Sequence, residues 1–446
     1  MKKSFKVVLP VIVIILAGLM ASPALQARAL GPFVEPDAAP SITFNGELVG
    51  DGFGWVAENL GDINHDGIND VIISANLYPV EGTPGGKAYV YSGADGELLN
   101  AVTGKPYDQF GYSASTAGYV DGDEVPDYIV GGRGTGGIPE PYKGRAVVYS
   151  GEDHSVIGEI DGPVRSGFGF AATRAGDVNG DGYGDVIIGA PFLNGTTGRV
   201  YLYSVIDRSV VWMRDGKAQG DFLGTAVGYA GDVNHDGAPD VVAGAFGAGI
   251  ASGGEVYVYS GVDGRTLLTL TPKDPGTSQS FGLFFASGAG DVNRDGTPDI
   301  YVGDFANKRG GGSGSPNKIS AGRVYIFSGV DGSILYMFNA EDKGDGLGPM
   351  RGAGDVNGDG YADLVIAAYN SSAGAPSGGK IYIRSGRDGA VLRTITGKIS
   401  GDQLGFDALA VGDVTNDGLT DYLLTAAGNS QTGNDIGRAY IVPGIP

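Results

Sequence analysis

One short string, Gly-Asp-(Val/Ile)-Asn-x-Asp-Gly-x-x-Asp, constrains this chain more than anything else in it. Its first Asp falls at Asp62, Asp177, Asp232, Asp291 and Asp355, with a weaker copy at Asp413 and a degraded one in which Tyr119 takes the first place. Successive copies lie 57, 58, 55, 59, 64 and 58 residues apart, so seven units of similar length follow one another. Repetition at such a period points to a solenoid, a propeller or an array.

Each unit reads as four short strands. The first follows Phe53-Gly54, Phe110-Gly111, Phe168-Gly169, Phe281-Gly282, Leu347-Gly348 or Leu404-Gly405, and Phe222-Leu223-Gly224 is one residue longer. The second is a brief apolar run directly after the acidic string, such as Val186-Ile187-Ile188, as expected of a strand buried on both faces. The third alternates with period two, as in Glu255-Val256-Tyr257-Val258-Tyr259. The fourth follows an Asp-Gly turn such as Asp263-Gly264. No segment carries a long helical period, so the chain is expected to be all-β.

Seven four-stranded antiparallel blades in series predict a seven-bladed β-propeller. A linear solenoid is the alternative, and it would require distinct capping repeats. The last unit ends in a third strand, Arg438–Pro443, whereas Ser41-Ile42-Thr43-Phe44-Asn45-Gly46 stands where other units place a fourth. An N-terminal strand completing the last blade is therefore expected to close the ring and cover its open edge.

The N-terminus reads as an address. Lys2, Lys3 and Lys6 precede an apolar run, and Ala27-Arg28-Ala29 forms a small-residue cleavage pattern. The expected organisation is a signal peptide over 1–29, a short linker over 30–40 and the propeller over 41–446, with no membrane span after cleavage. The protein is then secreted, periplasmic or displayed at the cell surface, and monomeric. It has no cysteine, which removes disulfides, thiolate metal sites and cysteine nucleophiles. A formal charge of −21 argues against most nucleic-acid binding through a basic surface, so no nucleic-acid partner is expected.

The acidic string has the chemistry of a hard-cation loop. Oxygens at alternate positions around a tight bend suit Ca2+, which takes 6–8 oxygen ligands without strict octahedral geometry. The expected ligands are Asp62, Asn64, Asp66, the carbonyl of Ile68, and Asp70 in the first loop, and Asp177, Asn179, Asp181, the Tyr183 carbonyl and Asp185 in the third. Asp232, Asn234, Asp236, Ala238 and Asp240 follow in the fourth, and Asp291, Asn293, Asp295, Thr297 and Asp299 in the fifth. Asp355, Asn357, Asp359, Tyr361 and Asp363 form the sixth set, and Asp413, Thr415, Asp417, Leu419 and Asp421 the seventh. The second loop lacks the first ligand and has Glu124 for the turn glycine, leaving Asp121, Asp123 and Asp127 as a weak or empty site. Five to seven calcium ions are expected. Good turn-forming propensity alone explains one such loop but not three carboxylates repeated in all seven.

Phe-Gly, the acidic loop and Ile188-Gly189-Ala190-Pro191 together resemble the FG-GAP repeat of integrin α-chain propellers and of many exported bacterial proteins, over nearly all of residues 41–446. The resemblance implies calcium in the loops between the first and second strands, on the lower face. Gly-Ala-Pro is intact once only, and no inserted adhesion domain is evident.

The opposite face carries the second-to-third and fourth-to-first connections. Six residues beyond each last loop Asp it presents Asn76, Arg133, Pro191, Phe246, Phe305, Tyr369 and Ala427. This varied set is expected to form a ligand rim, with Asn76, Arg133, Phe246, Phe305 and Tyr369 as contacts for an extracellular protein or glycan. Lys308, Arg309 and Lys318 form a small basic loop nearby. The expected function is a secreted calcium-binding adhesion or ligand-binding module. A polysaccharide-acting lyase or hydrolase is the alternative, although His154 is the only histidine outside the loops and no nucleophile motif is present.

Overall fold

The computed structural model describes residues 31–135, 142–308, 321–428 and 436–445. The expected leader lies outside these residues, as do Arg309 and Lys318 of the basic loop. Seven four-stranded antiparallel sheets make up the described chain, with one extra two-stranded hairpin at Pro79–Val80 and Thr83–Pro84. Blade 1 runs Phe53–Gly61, Asp70–Ala75, Lys87–Tyr91 and Leu98–Thr103, and the following blades repeat that order. The innermost strand of each blade touches that of the next, and the last touches the first, so the sheets form a closed β-propeller.

Blade 7 is assembled from both ends of the described chain. Ile42–Asn45 lies antiparallel to Arg438–Val442, with Ile42 opposite Ile441 and Phe44 opposite Ala439. Residues 31–40 are packed as well: Phe33 meets the edge of the Tyr440 ring at 5.3 Å, and the Glu35 carboxylate accepts the Thr396 N–H at 2.7 Å.

The core lies between blades. Seven apolar clusters each join two neighbours, and one of them joins blades 7 and 1 through Phe44, Phe53, Ile73, Leu423 and Ile441. The second strands are buried at every position, which accounts for their unbroken apolar runs. The Phe-Gly pair is a lock between blades. Phe110 is fully buried and bridges Gly86 of blade 1, where a Cβ would stand 2.0 Å from the Phe110 carbonyl oxygen. Leu223, Leu347 and Leu404 bridge Gly198, Gly322 and Gly379 in the same way. In blade 4 it is therefore Leu223-Gly224 that takes the Phe-Gly place, and Phe222 turns outward to meet the Phe246 ring at 4.9 Å. In blades 3 and 5 the innermost strand starts later, at Ala172 and Ala286.

Candidate functional site

Each acidic loop joins the first two strands of its blade and is folded by its own carboxylates. In six loops the first Asp accepts the N–H groups of the fifth and sixth residues; Asp62 takes Asp66 at 3.1 Å and Gly67 at 2.9 Å. The sixth residue has a left-handed backbone in all of these, from Gly67 (φ 86°) to Gly418 (φ 86°), which is why glycine stands there. The fourth position is left-handed too, even where His65, His235 and Arg294 occupy it.

The last Asp is a clamp. Asp70, Asp127, Asp185, Asp240, Asp299, Asp363 and Asp421 are all fully buried. Each accepts the N–H of its loop's second residue at 2.7–3.1 Å. In six blades its other oxygen accepts the N–H of a glycine just past the third strand, as Gly261 to Asp240 at 3.1 Å; in five of them that glycine opens the hairpin to the fourth strand, and in blade 7 it is Gly444. Blade 3 has Val205 at that place, and Asp185 Oδ1 stays without a hydrogen bond. Burial pushes Asp70, Asp127, Asp240 and Asp299 up to about 6 and Asp185 to about 7, against the pull of the backbone donors. A bound cation would act in the opposite sense and favour the ionised form.

The donors suit a hard cation. Asn234 Oδ1 is buried in the fourth loop and makes no hydrogen bond, and a carboxylate has more lone pairs than these backbone donors use. The second loop follows another course. Glu124 is not left-handed, and Tyr119 offers no carboxylate to the turn. There the carboxylates of Asp121, Asp123 and Asp127 converge to within 4.8 Å of one another, the only such acidic group among the described residues. Burial, with the Asp123 charge beside it, holds Asp121 above the usual carboxylate range.

The opposite end of the axis is aromatic. Trp55, Tyr112, Phe170 and Phe406 each follow a Phe-Gly or Leu-Gly pair, and Phe284 lies two residues beyond one. With Phe305 and Tyr369 they form a closed circuit. Trp55 meets Tyr112 at 5.3 Å, Tyr112 meets Phe170 at 4.8 Å, and Phe170 stacks on Phe284 at 5.5 Å. Phe284, Phe305, Tyr369, Phe406 and Trp55 complete it at 6.5, 6.4, 5.7 and 5.1 Å. Phe284 also reaches Trp55 across the ring at 6.1 Å, so it sits over the axis; it does so from a left-handed backbone (φ 69°) and remains 37% exposed. A left-handed bulky residue is a genuine outlier, held by its surroundings. Beneath the ring lies an axial cavity of ≈ 870 Å³.

FG-GAP repeats are matched at residues 53–91, 169–203 and 352–383, and an FG-GAP-like repeat at 232–302. This chain carries FG-GAP repeats. It is 29% identical to integrin alpha-5 of Xenopus laevis over 52% of its own length, and 30% identical to integrin alpha pat-2 of Caenorhabditis briggsae over 53%. It covers only 23% and 21% of those proteins. The crystal structure of Sqt1 from Saccharomyces cerevisiae shares the fold at a TM-score of 0.51 and 11% identity, covering 90% of this chain and 100% of that one.

The FG-GAP chain sorts the expected rim residues into different surroundings. Phe305 and Tyr369 join the aromatic ring. Arg133 lies beside it, its guanidinium 4.2 Å from the Tyr112 ring centroid and its Nε donating to Gln109 at 2.6 Å. Phe246 lies outside the ring, against Phe222. Asn76 is 2% exposed, so it has no surface to offer a ligand. Trp55, Tyr112, Phe170, Phe284 and Phe406 are absent from the rim read from sequence. Their signal is the residue after the Phe-Gly or Leu-Gly pair, which is aromatic in four of the seven units. No helix among the described residues is long and apolar enough to cross a membrane.

Proposed function

We propose that this FG-GAP propeller is a secreted, calcium-loaded binding module that engages an extracellular protein or glycan through the upper mouth of its axial channel. The closed aromatic ring carries the reading. Seven rings converging on one opening, with Phe284 still exposed at its centre, gather the residue types that dominate binding energy in recognition surfaces. They stand at or just before the starts of the innermost strands, or just after the second strands, whereas the acidic loops leave the other ends of the same strands. Recognition and metal binding are thus divided between two faces of one rigid scaffold, and the connections that vary lie on the recognition face. The leader pattern supports export, and the similarity to integrin α chains supports an adhesive role.

The test uses the mature chain from residue 30 with calcium, presented to arrays of glycans and extracellular proteins. Capture is expected to fall more than tenfold when Tyr369 and Phe406 are both changed to Ala, with little change in melting temperature. Capture unchanged in that variant would place recognition elsewhere.

A further inference from the structure

Below the aromatic ring the axial wall turns polar at one level. Opposite the third residue of each second strand stand Glu58, Ser115, Thr173, Gly228, Ser287, Arg351 and Leu409, one from each innermost strand. Five of these seven register-equivalent positions are therefore polar, and the five line the cavity. Four of them are linked side to side. Arg351 donates to Asp407 at 3.0 Å and pairs with Glu58 at 3.5 Å; Ser115 donates to Glu58 at 3.4 Å and shares a hydrogen bond with Thr173 at 2.8 Å. Ser287 donates to the Tyr229 carbonyl at 3.0 Å. The belt is not self-sufficient: Arg351 Nε is buried and has no partner.

We propose that this cavity is a binding site for a neutral saccharide, with the aromatic ring as its stacking surface and the belt as its hydrogen-bonding wall. The inference rests on the reading of the upper mouth as the working face and adds the class of ligand. Three alternatives are disfavoured by the lining. An apolar ligand would strip water from Arg351, Glu58 and Asp407 without replacing it, which is costly for buried polar groups. An anion meets Glu58 and Asp407, and a cation meets Arg351 and Arg174, whose guanidinium lies over the Tyr229 ring at 4.8 Å. Charges of both signs already paired across the belt leave a neutral partner rich in donors and acceptors as the best match. A volume of ≈ 870 Å³ falls within the range of about 300–1,000 Å³ usual for small-ligand pockets.

Trp55 provides a direct readout, since it lines the cavity while the second tryptophan, Trp212, is buried in blade 3 with its Nε1 bonded to the Gly261 carbonyl at 2.6 Å. Calcium-loaded protein is titrated with galactose, maltose, cellobiose and chitobiose, and in parallel with glucuronate, glucosamine and arginine, while tryptophan emission is followed. A saturable change is expected with at least one neutral sugar, stronger than with any charged probe, and absent from Trp55→Phe. Arg351→Lys keeps a cation beside Asp407 but removes the Nε donor, and should weaken that sugar about tenfold. Ser115→Ala is a milder second test, and Phe246→Ala should change nothing. A folded protein with no saturable response to any of the four sugars overturns the inference, and so does a stronger response to arginine. Protein capture that depends on Tyr369 and Phe406, with no sugar response, would overturn the saccharide while leaving the mouth as the binding face. Loss of both would overturn both.

Discussion

The two ends of this propeller are built on opposite principles. At the lower end one polar device recurs in most blades, as in blade 4: a first Asp folds the loop, a glycine reverses it, and a buried last Asp ties it to the hairpin of its own blade. At the upper end the backbone frame repeats but the side chains differ, from Trp55 and Tyr112 to Thr225 and Pro349 at the place after the Phe-Gly or Leu-Gly pair. Repetition marks what the scaffold needs in order to stand. Variation on a common frame marks what it presents. Damage below should therefore cost stability, and damage above should cost binding.

The largest effect is expected at a clamp. Asp240→Ala removes the acceptor for the backbone N–H groups of Val233, Asn234 and Gly261 and leaves them in a buried site. At about 1–3 kcal/mol for each orphaned donor, urea unfolding should show a loss of at least about 3 kcal/mol. A loss near zero would mean that the loop refolds around another acceptor, and the clamp would not be structural. Ring closure should come next. Phe44 is 4% exposed in the cluster joining blades 7 and 1, and Phe44→Ala is expected to cost about 3 kcal/mol with no effect on ligand capture.

Within the lower face the loops themselves can be compared. Asp181→Ala takes a side-chain oxygen from a full set and should lower bound calcium by one ion per chain. Asp123→Ala acts in a loop without the first Asp and the turn glycine, where it also relieves repulsion among three carboxylates within 4.8 Å, so the ion count should hold. Equal losses by elemental analysis would overturn that ranking. The smallest stability effect should be above. Tyr369→Ala trims a half-buried ring, and a change under about 1 kcal/mol is expected beside a clear loss of capture. A large stability loss there would erase the division between the faces.

The sequence disclosed the architecture because the acidic string is at once a motif and a ruler. Its period counted the blades, and the unpaired strand at Ile42–Asn45 showed how the ring would close. The acidic loops were legible as donor sets, but not the second duty of the last Asp, since its glycine partner lies 20–30 residues away, as Gly329 does from Asp299. The upper face was legible only in part. Counting from the last Asp found Phe305 and Tyr369, yet five of the seven aromatic rings come from the entry to the innermost strand, at or just before its first residues, which the Phe-Gly or Leu-Gly pair positions. The same count picked Asn76, which the fold buries. Nor did a linear reading bring Arg351, Asp407 and Glu58 together, because they meet only where blade 7 lies between blades 6 and 1.

A single melting comparison bears most directly on the idea of a metal-built lower face. The chain from residue 30 is stripped with EGTA, checked by elemental analysis, and heated before and after calcium is returned. Calcium held by the folded form alone should raise the melting temperature and return at five to seven ions per chain, each site adding about 2.7 kcal/mol at a hundred times its dissociation constant. Identical melting in both states, with no calcium taken up, would show that the carboxylates of these loops serve the backbone alone.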